Sequence, residues 1–138
     1  MSVVRIRYQT IEFDYIDIHL RCLRDKQQIS APLGEAQALS ISGAQWSLFD
    51  VVWESSQILA EKMQDFNIKD KRNLEVGCGI GLSILLLNAR DADITSTDYH
   101  PEVGRFLAKN VALNSGKEIP FYKLTGRMRS LDLVSLIW

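Results

Sequence analysis

A chain of 138 residues, 46% hydrophobic and 24% charged, has the make-up of an ordinary soluble domain, long enough for one sizeable core. Its formal charge of -1, with no cluster of Lys or Arg, argues against nucleic acid or an anionic membrane as a partner. The longest apolar run, around Ile84–Leu87, is far too short to span a bilayer, and Met1-Ser2-Val3-Val4-Arg5 lacks the layout of a signal peptide, so a cytoplasmic location is expected.

Residues 3–30 alternate β-branched and aromatic residues with polar ones: Val4, Ile6, Tyr8, then Ile11, Phe13, then Ile16, Ile18, Leu20. That spacing predicts a small antiparallel meander or hairpin, with turns at Gln9-Thr10 and Asp14-Tyr15. His19 lies on this alternation with no partner nearby in sequence, and is expected to face solvent or to be satisfied locally. Residues 31–45, with Pro32, Gly34 and Gly43, form a connector with a single helical turn expected around Glu35–Leu39. The first unit is therefore residues 1–45, a β meander and its connector.

A second unit, 46–125, starts with a helix whose Ile58, Leu59, Met63 and Phe66 recur at spacings of three and four. Trp53 precedes it, either stapling the helix's first turn or forming a wall of a ligand site. The polar bridge Asn67–Arg72 then leads into Asn73-Leu74-Glu75-Val76-Gly77-Cys78-Gly79-Ile80-Gly81-Leu82. This stretch reads as a strand ending near an acid, a glycine turn, and a helix running to about Ala89. A second strand, Ala92–Asp98, ends in a carboxylate 21 residues after Gly77. Strand, glycine turn, helix, strand and acid form a βαβ nucleotide-binding unit, with the final carboxylate suited to a ribose diol. Of the two cysteines, Cys22 and Cys78, neither has disulfide or metal-ligand spacing, and Cys78 reads as a small side chain fitting a crowded turn.

Tyr99-His100-Pro101 opens another helix with Pro in its first turn, apolar along Val103, Phe106, Leu107 and Val111, and stopped at Gly116. His100 and Glu102 read as solvated residues of that turn. Ile119–Leu124 is a third core strand. Residues 126–138 form an atypical tail, in which Leu131–Ile137 reads as a fourth strand or the whole as the product of a shifted reading frame. Six residues after Leu124 leave no room for a parallel crossover helix.

The glycine spacing separates two cofactor classes. The dinucleotide fingerprint has its third glycine three residues after the second, where Leu82 stands. The observed Glu75-x-Gly77-x-Gly79-x-Gly81 resembles motif I of the class I S-adenosylmethionine (SAM)-dependent methyltransferases. Trp53 before Glu54-Ser55 looks like the W-P-[SA] segment of the family 16, or nicotinamide N-methyltransferase-like, subgroup, with Glu54 in place of the Pro. Asn110-Val111-Ala112-Leu113-Asn114 resembles that subgroup's N-x-x-x-N stretch, and Ile18–Arg21 with Asp25–Gln27 resembles its bacterial members. The likeness covers roughly residues 3–124.

The resemblance implies an α/β fold: a Rossmann-like parallel sheet, an incomplete class I methyltransferase fold, preceded by the small N-terminal antiparallel region. It implies SAM as cofactor, held by Trp53, Glu75, Gly77, Cys78, Gly79, Gly81, Asp98 and Tyr99. The acceptor is unidentified, with protein lysine the subgroup's commonest target; no catalytic residue and no metal set is identified. Because a sheet of that class has more strands than this chain supplies, the reading expects a C-terminally truncated protein and either weak stability or pairing of copies through the open sheet edge. Two other readings stand beside it: a non-catalytic SAM-binding or interaction module, and a nucleotide-dependent oxidoreductase built on the same βαβ unit.

Overall fold

A computed structural model describes residues 5–24 and 51–124 of the chain. The expected connector turn at Glu35–Leu39 and the tail 126–138 lie outside the described residues.

Strand β1 (Ile6–Glu12) pairs antiparallel with β2 (Asp17–Leu23), from Ile6 opposite Leu23 to Glu12 opposite Asp17. The turn lies at Asp14-Tyr15, closed by the Phe13 N–H donating to the Ile16 carbonyl. The other expected turn is overturned: Gln9 and Thr10 run straight through β1, since two-residue alternation continues across them. Alternation also sorts β2, burying Ile18, Leu20 and Cys22 while His19 stays outside, its Nδ1 2.8 Å from the Thr10 hydroxyl.

Helix α1 (Glu54–Met63) leads through a turn to β3 (Arg72–Val76). Then follow α2 (Leu82–Ala89), β4 (Asp93–Asp98), α3 (Val103–Leu113) and β5 (Phe121–Lys123). The three strands form a parallel sheet in the order β3-β4-β5, so the fold is the expected α/β, Rossmann-like arrangement with a separate N-terminal hairpin. β4 is central yet polar: Ser96 and Thr97 are fully buried, and their hydroxyls donate to the carbonyls of Pro120 and Glu75, each at 2.9 Å. Helix α2 is buried from Leu82 to Asn88, as its apolar run requires.

Helix ends differ in detail from the sequence reading. α3 begins at Val103, with Pro101 in the turn ahead of it, so Pro acts as a helix approach rather than a first-turn residue. At its far end the left-handed position is filled by Ser115, while a Cβ on Gly116 would meet Asn88 Nδ2 at 2.8 Å. Gly116 thus answers a close approach. Helix α1 is less covered than its spacing suggested: Ala60 is buried, whereas Ile58 and Leu59 are exposed.

The hairpin and the parallel sheet share one core, and α3 fastens them together. Asn110 accepts from the Arg21 N–H at 2.6 Å and donates to its carbonyl at 3.2 Å. Asn114 repeats this on His19, at 2.8 and 2.7 Å. Two residues along a strand advance about 6.6 Å and four along a helix about 6 Å, so the amides meet alternate backbone positions of β2 as a third strand would. No helix among the described residues is long and apolar enough to cross a membrane.

Candidate functional site

The parallel pairing of β3 with β4 sets Glu75 opposite Ser96 and Val76 opposite Thr97, so the two strands end side by side. From β3 the chain enters a turn in which Gly77, Gly79 and Gly81 have φ of 70°, 54° and 81°. Left-handed backbone at every second position strongly favours glycine, and such alternation curls the main-chain N–H groups into a concavity. A Cβ at Gly77 would meet nothing within 4 Å among the described residues, which leave space open above the start of the turn. Gly81 instead faces packing, because a Cβ there would sit 3.0 Å from Leu107 Cδ1.

Hydrogen bonds lock the turn to β4. The Cys78 N–H donates to the Thr97 carbonyl at 2.9 Å, and the Gly79 N–H donates to Asp98 Oδ2 at 2.9 Å. The other Asp98 oxygen accepts from the His100 N–H, also at 2.9 Å. One buried carboxylate therefore ties the glycine turn to the loop after β4. Each of its oxygens keeps lone-pair capacity for a further donor.

Glu75 is half-buried beside this carboxylate. Ser83, buried in the first turn of α2, donates its hydroxyl to Glu75 Oε2 at 2.8 Å. Burial pushes the Glu75 carboxyl up to about 6; the Ser83 hydrogen bond pulls it down, and the nearby Asp98 charge adds to the rise. The positive end of α2 points at the same turn. Cys78 is buried, and burial foremost, then the fields of Asp98 and Glu75, drive its thiol far above the usual range. It remains a thiol, filling the turn rather than attacking a substrate.

Of the expected residues, the structure brings together Glu75, the three glycines, Cys78 and Asp98. Tyr99 follows Asp98 and is partly exposed. Trp53 is half exposed and is the N-cap of α1, its carbonyl accepting from the N–H groups of Ser56 and Gln57. Arg90, at the end of α2, donates to the carbonyls of Met63 and Phe66. Helix α1 packs against α2, and these two hydrogen bonds hold its C-terminal end to the end of α2. His100 departs from expectation: it is buried, and its Nδ1 accepts the Glu102 N–H at 3.1 Å instead of meeting water. Ser83 was missed, although it is the lone hydroxyl in Leu82-Ser83-Ile84-Leu85-Leu86-Leu87. Among the described residues no group of acids, His and Cys is arranged to hold a metal ion.

A family model described as lysine methyltransferase matches residues 35–129. The chain belongs to this family. Every site residue from Trp53 to Tyr99 falls inside the matched span of the methyltransferase domain, which favours methyl transfer over the oxidoreductase reading. No curated protein matches the chain.

Proposed function

We propose that this family member binds SAM across the tips of β3 and β4 and serves methyl transfer to the side-chain amine of a protein lysine. The observation that carries the reading is Asp98, a buried acid at the tip of β4 hydrogen-bonded to the glycine turn at the tip of β3. The residues fit such a ligand in three respects. Among the described residues, open space lies over Gly77, Asp98 retains acceptor capacity for a ribose diol, and Glu75 has no ion pair.

In this reading Asp98 holds the ribose hydroxyls, Glu75 orients the ammonium of the methionine part, and the glycine turn lets the ligand approach bare backbone. Trp53 and Tyr99 flank the pocket, their exposed rings being available to cover it. The cofactor, when bound, supplies a methyl group on a positively charged sulfur. The protein's contribution is orientation: it fixes the donor so that an acceptor amine can meet it in line. An amine must be neutral to attack, and the acceptor lysine loses its proton before transfer.

Calorimetric titration with SAM and with S-adenosylhomocysteine, on wild type and Asp98→Ala, tests the binding reading. Wild type is expected to bind both, and Asp98→Ala to lose about tenfold or more in affinity, the scale of lost charge-assisted hydrogen bonds. No saturable binding by wild type sinks the proposal. Labelled methyl transfer to a protein extract, abolished when its lysines are blocked beforehand, tests the acceptor. Binding without transfer would favour a non-catalytic module.

A further inference from the structure

Ser83 is a buried hydroxyl whose hydrogen bond holds one oxygen of Glu75 at 2.8 Å. It comes from the second residue of α2, and β3 brings Glu75 to it from across the glycine turn. Beyond Ser83, the charge acting on Glu75 is that of Asp98 at the tip of β4, another acid. The neighbouring Cys78 in the turn stays a neutral thiol and feels Glu75 rather than acting on it. Among the described residues no Lys or Arg forms an ion pair with Glu75. The acid thus sits half-buried beside a second carboxylate, steadied by the Ser83 hydroxyl and with no paired cation among the described residues.

We infer that Ser83 is a positioning residue which keeps Glu75 ionised and aimed, making the site's hold on a ligand ammonium dependent on the protonation of Glu75. The inference rests on the proposed SAM reading for the identity of that ammonium. An ionised Glu75 attracts the cation; a protonated one offers a neutral carboxyl in its place. The value of about 6 puts this exchange at mildly acidic pH. With that midpoint, affinity for an ammonium-bearing ligand falls about tenfold between pH 7 and pH 5, where an α-amino group stays charged. Removing the hydroxyl deprives the charged form of its donor, so the midpoint moves up by about one pH unit.

The test pairs two readouts on wild type, Ser83→Ala and Ser83→Thr, each checked for cooperative melting. The first follows the Glu75 carboxyl by carbon NMR against pH without ligand. Its midpoint should rise in Ser83→Ala and return toward wild type in Ser83→Thr, which restores a hydroxyl. The second measures affinity between pH 5 and pH 7 for S-adenosylhomocysteine and for 5′-methylthioadenosine, which lacks the amino acid. The first ligand should show the acid loss, shifted upward in Ser83→Ala; the second should show none. An unmoved Glu75 midpoint in Ser83→Ala overturns the inference even if wild type binds both ligands. Equal pH dependence for the two ligands overturns it as well. Failure of wild type to bind either ligand overturns the SAM reading, while a shifted midpoint would still establish the hold of Ser83 on Glu75.

Discussion

The acid at Glu75 destabilises the protein that carries it. Its folded-state value of about 6 lies above the ordinary 4.5, so folding takes up a proton in that interval. The penalty is absent below about 4.5, grows as pH rises, and is complete above about 6. Its size is on the order of 1–2 kcal/mol. Glu75→Gln should therefore melt higher than wild type at pH 7, and the gap should close at pH 4 in thermal melts across that range. The same substitution should weaken binding of a ligand ammonium, the usual opposition between a stable fold and a strained site. That the glycine turn and Asp98 would meet was legible from residue type and spacing, and Glu75 beside them entered through the resemblance to motif I. Ser83 and the burial of His100 were not, because both depend on which neighbour a side chain meets after β3 and β4 align.

At the scale of elements, the sequence reading worked where a period dominates and failed where a partner decides. Two-residue alternation located β2, and the apolar run located α2. The turn expected at Gln9-Thr10 failed because two adjacent polar residues look like a turn, whereas in β1 they point to opposite faces, Gln9 half-buried towards Cys22 and Thr10 outward beside His19. Ser115 and Asp91 take left-handed backbone that glycine would more often supply, so neither helix end could be placed by glycine alone. The junction of α3 with β2 depends on two side chains. Asn110→Ala should cost about 1–3 kcal/mol, since it strips a buried amide and leaves the Arg21 backbone groups unpaired. Asn114→Ala, more exposed, should cost less. Urea melts measure both, and amide exchange at Arg21 and His19 should quicken in the matching variant while β4 amides keep their protection.

For the molecule as a whole, β3 is an edge strand among the described residues, and its Val76 is 54% exposed. Unpaired strand edges recruit other strands. We expect copies to associate through this edge, and Val76→Lys, a charge placed on it, to shift sedimentation equilibrium toward the monomer. A wild-type protein that sediments as a monomer at every concentration would contradict the pairing. The border of the separate hairpin at β2 is settled within one chain. Strand β2 finds its neighbour 89 and 95 residues further along, in a helix that imitates a strand with two amide side chains. During synthesis the hairpin therefore emerges long before the groups that silence its border, and it stays adhesive until α3 has left the ribosome. Delay at that stage leaves the hairpin's border open to strands of other chains.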